Sequence, residues 1–203
     1  MHTRRGFTIV ELVIVMVIMA ILLGLGTVSF NRSQANARDS ERDADAATIA
    51  RGLETRYKEG NPRLTTSAYN VTAGSYPGTI EMTHIIGGNV SSYGLTTVSG
   101  GYGPEALPGT ATTAFSPPGL SGDYSGFTVR CLGTCAVGSA SVIDAQTTKD
   151  IYLYEPIGVD NNVCDGSTAN PCVRFNLYWR DEVTKDTSTG ASSTLHLIRS
   201  KHQ

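Results

Sequence analysis

Gly6-Phe7-Thr8-Ile9-Val10-Glu11 opens the stretch that decides the fold. From Phe7 the chain reads FTIVELVIVMVIMAILLGLGTVSF as far as Phe30, with Glu11 as its one ionisable side chain. An α-helix of about 24 residues crosses the hydrocarbon core of a bilayer with some tilt. Val10, Leu12, Val13, Ile14, Val15, Val17, Ile18 and Ile21 to Leu23 give that helix apolar side chains all round, which suits lipid or neighbouring helices. Arg4 and Arg5 precede the run, so the positive-inside rule leaves residues 1–6 in the cytoplasm and everything after Phe30 outside. Glu11 breaks the pattern. A carboxylate at this depth costs a few kcal/mol on insertion scales and needs a partner or a reason. The run is also longer than the apolar region of a secretory signal peptide.

A short basic leader ending in Gly, then Phe, then an apolar stretch with Glu at its fifth position, resembles the class III signal of type IV prepilins. Close resemblance covers about the first 60 residues; the rest matches only in layout. The resemblance implies that a membrane peptidase cuts between Gly6 and Phe7 and methylates the new amine of Phe7. It implies that Glu11 of one subunit attracts the terminal ammonium of a neighbour and draws it into register at the base of a growing filament. An ammonium in an apolar setting is costly unless paired, which gives that attraction its force. A head-to-tail contact of this kind builds an open helix.

The implied fold is α+β: a long N-terminal helix, membrane-spanning in its lower half, packed on a C-terminal antiparallel sheet. The implied partners are other pilins, the prepilin peptidase, the membrane and the assembly machinery. ATP hydrolysis is left to a separate motor. The implied location is single-pass in the membrane before assembly and in a surface pilus afterwards. A pseudopilin of a secretion or competence system, and a minor or tip subunit acting as an adhesive module, are the alternative employments of the same head.

The layout divides as 1–6 leader, 7–30 membrane and filament-core helix, 31–60 amphipathic continuation, 61–122 loop-rich variable region and 123–203 sheet. In the continuation, six basic residues balance six acidic ones between Asn31 and Glu59. Ala46, Ala50, Leu53 and Tyr57, with Ile49 beside them, recur at helical spacing, predicting one buried stripe and a charged, solvated face. Gly60-Asn61-Pro62 stops the helix. Gly24 and Gly26 are weak helix formers, suited either to close packing or to local unwinding.

From Leu64 to Gly122 there is no Lys or Arg, and Gly, Ser, Thr, Pro and Tyr dominate. That argues against nucleic-acid binding there, as does the formal charge of −2 for the whole chain. The Tyr and Ile content predicts a packed, loop-rich layer. Four strands are expected after it: residues 125–131; 150–155, ended by Pro156; 173–180, with Val173, Phe175, Leu177 and Trp179 on one face; and 193–199. The polar stretch 185–191 reads as a hairpin between the last two.

The four cysteines lie beyond the membrane segment, where disulfides persist. Three pairings are possible; Cys131 with Cys135 and Cys164 with Cys172 are favoured, because each clamps a turn-rich loop. Their spacing does not fit a zinc ribbon. Asp160, Asn162 and Asp165 offer oxygen ligands of the kind calcium takes, and some pilin relatives hold calcium near the chain's end. The EF-hand pattern is absent, however, and Asx turns account for such a cluster, so no metal is assigned. His84, His196 and His202 are scattered. There is no Gly-x-Ser-x-Gly, His-Glu-x-x-His or P-loop, so neither enzyme activity nor a cofactor is expected.

Overall fold

The computed structural model of the 203-residue chain describes residues 8–60, 73–85, 107, 109–120, 126–131, 135–182 and 194–202. Its first element is a single helix, α1, Ile9–Glu59. No proline falls within it, and it continues through Gly24 and Gly26. Arg56 and Lys58 in the last turn complement the helix dipole. Gly60, at φ 72°, ends it, its N–H donating to the Arg56 carbonyl at 2.9 Å. The Tyr57 carbonyl, orphaned by the helix end, accepts from Gly74 N–H at 2.7 Å.

The chain forms two compact units, one ending at Ala37 and the other beginning at Arg38. In the first, residues 8–25 are all exposed. α1 is, among the described residues, the one helix long and apolar enough to cross a membrane.

The second unit holds the core. Ala46, Ile49 and Leu53 of α1 are fully buried, with Ala50 nearly so and Tyr57 packed at the edge. This is the stripe the spacing predicts, and each large aliphatic side chain buried there contributes about 1.5–3 kcal/mol. It faces Tyr152, Tyr154, Phe175, Leu177 and Trp179 of the sheet in one hydrophobic cluster.

The sheet has six strands: β1 Phe127–Val129, β2 Cys135–Ala136, β3 Tyr152–Gly158, β4 Asn162–Val163, β5 Cys172–Arg180 and β6 Leu195–Arg199. Its centre is antiparallel, with Tyr154 opposite Leu177 and Tyr178 opposite Leu197. β1 adds a short parallel edge to β3, while β4 and β2 continue the sheet antiparallel beyond it. The expected hairpin connection at 185–191 lies outside the described residues, although β5 and β6 do pair antiparallel.

β3 does not end before Pro156 but runs through it. The Pro156 carbonyl accepts from Cys164 N–H at 3.2 Å, so the missing N–H of Pro156 falls on the same side of the strand. There β1 has already ended at its pairing with Tyr154, and β4 pairs only at Ile157. A proline is tolerated because no ladder bond is demanded of it at that edge.

β3 is buried along its whole length because its outer face is covered too. Helix α3, Ala140–Gln146, sets Ile143 against Leu153 and Tyr178 in a second, smaller cluster. The region expected to be a loop-rich layer contributes to the main core. Tyr76, Met82 of helix α2 (Thr79–Ile85), Leu107 and Phe115 are all sealed from solvent.

Candidate functional site

Among the described residues, the N-terminal end of α1 and the seam where α1 meets the sheet both carry polar chemistry. At the first, Thr8 is the N-cap and Glu11 the third helical residue. Thr8 N–H and Thr8 Oγ1 both donate to Glu11 Oε2 at 3.0 Å. In return, Glu11 N–H donates to Thr8 Oγ1 at 3.3 Å. This is a capping box, satisfying donors that a helix start leaves unpaired. A negative charge in the first turn also complements the helix dipole. Glu11 therefore has a local occupation within one chain, and its carboxylate stays exposed. The Thr-x-x-Glu spacing of Thr8 and Glu11 is the signal in the sequence that marks this cap. Gly6 and Phe7, the expected cleavage and methylation positions, lie outside the described residues.

Along the seam, the charged face of α1 is less solvated than its composition suggests. Arg42, Arg56 and Glu54 are buried. Each guanidinium is buried because partners meet it, its aliphatic stem adding apolar contact. Arg38 grips Glu182 with two bonds, Nε to Oε2 at 2.8 Å and Nη2 to Oε1 at 2.7 Å. That bidentate pair holds the Glu182 carboxyl down at about 2. Arg42 donates to the Lys149 carbonyl at 2.9 Å and to Asp39 Oδ1 at 2.7 Å. Asp39 Oδ1 also accepts from Glu182 N–H at 2.7 Å.

Higher on the helix, Trp179 Nε1 donates to Asp43 Oδ1 at 2.8 Å. Tyr152 Oη donates to Asp45 Oδ2 at 3.4 Å. Burial, then the neighbouring Glu41 charge, push Asp45 up to about 6. At the top, Glu54 Oε1 accepts from Tyr76 Oη at 3.1 Å and from Lys201 N–H at 2.8 Å, tying the last described residues to α1. His202 stacks on Tyr57 there, with ring centroids 4.2 Å apart.

The structure joins Cys131 to Cys135 and Cys164 to Cys172. The second bridge is fully buried, and the chain packs closely around it: Thr79 N–H donates to the Cys164 carbonyl at 3.1 Å and Tyr76 N–H to the Cys172 carbonyl at 2.7 Å. Between the bridged residues, Asp165 Oδ1 accepts from Ser167 N–H at 2.9 Å. Just before them, Asp160 accepts from Asn162 through its backbone N–H and its side-chain amide, both at 3.0 Å. These bonds hold the Asp160 carboxyl below its ordinary range and give the acidic residues of this loop the form of Asx turns.

Residues 1–27 match the family described as "Prokaryotic N-terminal methylation motif". The match spans Arg4, Arg5, Gly6, Phe7, Thr8 and Glu11 and most of the apolar run. The chain opens with the class III signal of a type IV pilin-like prepilin. Comparison with curated proteins and with solved structures finds no match. The prepilin signal, the exposed apolar helix behind it and the α+β body fit a membrane-anchored precursor of the pilin or pseudopilin type. The motif belongs to a structural family rather than a catalytic one.

Proposed function

We propose that this prepilin is the structural subunit of a type IV pilus. It is stored in the membrane through residues 7–30, cut after Gly6, methylated on Phe7 and polymerised into an extracellular helical filament. One observation carries the reading: the methylation motif covers the start of an apolar run, residues 7–30, whose sole charge is Glu11. Apart from Thr8 and Glu11, the exposed surface of residues 8–25 is apolar and serves lipid before assembly and neighbouring helices after it. In the filament, the Glu11 carboxylate leaves its Thr8 cap, or shares it, to meet the Phe7 ammonium of the next subunit. The partners are the prepilin peptidase, other pilins and the assembly machinery of the membrane. Adhesion, motility and DNA uptake are the employments open to such a filament.

Mass spectrometry of protein from sheared surface filaments tests the proposal. A dominant species beginning at methylated Phe7 is expected. The same processed species confined to the cell membrane would instead assign the chain to a pseudopilus. An intact Met1 on the working protein would overturn the reading.

A further inference from the structure

Apart from the assembly head, the structure gathers three metal-ligating side chains at one point of the helix–sheet seam. Asp43 projects from α1, Asp181 directly follows β5, and His196 lies in β6, where it pairs with Trp179. One ligand atom from each lies within 4.8 Å of the others. We propose that Asp43, Asp181 and His196 form a binding site for a divalent cation of the zinc class, which fastens α1 to the end of the sheet. This proposal does not depend on the filament reading.

The first argument is the placement of His196 Nε2. That atom is shut off from solvent and lies 2.8 Å from Asp181 Oδ1, yet outside hydrogen-bonding geometry. Two donor atoms bound tetrahedrally to one zinc-sized cation at about 2.0–2.1 Å sit roughly 3.4 Å apart. The imidazole nitrogen and the carboxylate oxygen stand somewhat closer than that, at ion-pair distance, so one cation takes both after a small outward shift.

The second argument is how firmly the ligands are held. Trp179 Nε1 donates to Asp43 Oδ1 at 2.8 Å, fixing the carboxylate. The Trp179 ring stacks on the His196 ring at 5.2 Å with 14° between planes, fixing the imidazole. Asp181 N–H donates to the Thr194 carbonyl at 3.1 Å, which sets the strand end that carries the third ligand. Outer contacts of this kind orient the ligands of a metal site before the metal arrives.

The donor set chooses the cation. Calcium and magnesium prefer oxygen alone, whereas one imidazole with two carboxylates suits zinc, manganese or cobalt. Two carboxylates brought this close also repel, and a dication removes that repulsion. Asp43 is exposed and Asp181 is buried, so solvent reaches the group from the Asp43 side.

Trp179 is the sole tryptophan of the chain, so its fluorescence reports on this site alone. The full chain, solubilised in detergent and stripped with chelator, would be titrated with zinc and, separately, with cobalt. A saturable fluorescence change at one ion per chain is expected, together with visible absorption bands from bound cobalt. Outer-contact losses typically weaken metal sites about 10–100-fold, so losing a ligand in Asp43→Ala or His196→Gln should weaken binding by at least about tenfold. Asp43→Ala alters an exposed side chain, so it decides the matter even if His196→Gln disturbs β6. A flat wild-type titration, or unchanged affinity in Asp43→Ala, would overturn the site and leave the three residues as a simple ion-pair cluster.

Discussion

Arg56 in the last turn of α1 and Glu81 in α2 form an ion pair at 2.9 Å, with side chains 0% and 1% exposed. It joins the end of the long helix to the loop-rich segment that packs beside it. Buried pairs of this kind are sensitive to losing one partner, since the other charge is stranded in a medium that cannot solvate it. Glu81→Leu should destabilise the body by about 3–5 kcal/mol, while Arg56→Met combined with Glu81→Leu should recover most of the loss. Urea unfolding of the parent, Glu81→Leu, Arg56→Met and the double variant, compared as a cycle, measures both terms. Equal losses in Glu81→Leu and the double variant would show that a stranded Arg56 charge is not what the single substitution costs.

Asp45 makes stability depend on pH. Its folded value of about 6 lies above its ordinary 3.8, so the folded state holds the proton more tightly. The associated stability is fully present below about 3.8 and is lost as pH rises through about 6. Asp45→Asn should therefore flatten the pH dependence in that window and raise stability at pH 7. Asp45 is only partly buried, so solvent screening keeps the gain to about 1 kcal/mol. Melting curves of the two proteins between pH 4 and pH 8 would show the parent falling toward the upper end while the variant stays level. Parallel curves would sink the assignment.

Gly78 and Gly166 meet backbone to backbone, and this contact seats α2 against the Cys164–Cys172 loop. A Cβ on Gly78 would stand 2.2 Å from the carbonyl atoms of Asp165 and the nitrogen of Gly166. Backbone atoms cannot swing aside as a flexible side chain can. Gly78→Ala should cost about 3 kcal/mol or more, at the upper end of what overpacking does. Gly74→Ala is the control: its added Cβ meets nothing within 4 Å, and only its φ of 94° is strained. It should cost about 1 kcal/mol. A Gly78→Ala protein melting with the parent would mean that the two segments are not seated as described.

The two disulfides should not be equivalent. Cys164 and Cys172 lie in the main core, whereas Cys131 and Cys135 lie at its rim. Opening either bridge frees a short loop in the unfolded chain, at roughly 2–3 kcal/mol. Replacing Cys164 and Cys172 by Ser also buries two hydroxyls in an apolar cluster, which adds about 1–3 kcal/mol for each one left without a partner. The core double variant should thus melt well below the rim double variant. Thermal melts of both under oxidising conditions decide it, and similar melting temperatures would contradict the ranking.

Much of this was legible along the chain and part was not, for reasons visible in particular residues. Ala46, Ile49 and Leu53 announced themselves because a helical stripe repeats, and Phe175, Leu177 and Trp179 because a strand alternates. β2 and β4 have two residues each and α3 turns a single buried side chain, Ile143, toward the sheet, so none offers a period to detect. Arg42 and Arg56 read as solvated because charge suggests exposure, and only the fold supplies Asp39, Glu182 and Glu81 to meet them. The grouping of Asp43, Asp181 and His196 was hidden because its members come from three separate elements.

Glu11 caps α1 and, in the proposed filament, also meets a neighbour, and substitutions at Glu11 and Thr8 separate the two. Within the chain it caps α1 through Thr8. In the proposed filament its charge meets the ammonium of a neighbouring Phe7. Glu11→Gln keeps an oxygen that accepts from Thr8 N–H and so preserves the cap, but it removes the charge. Glu11→Ala removes both. Thr8→Ala weakens the cap, at about 1 kcal/mol, and leaves the charge in place. If the charge drives assembly, Glu11→Gln and Glu11→Ala should both be cut after Gly6 and both fail to build filaments, while Thr8→Ala builds them. Gly6→Leu should remain full length in the membrane. Filament yield by shearing, with the N-terminus read by mass spectrometry, scores all four variants together. Filaments from Glu11→Gln at the parent's yield would reduce Glu11 to a helix cap and remove the electrostatic step from the proposed assembly.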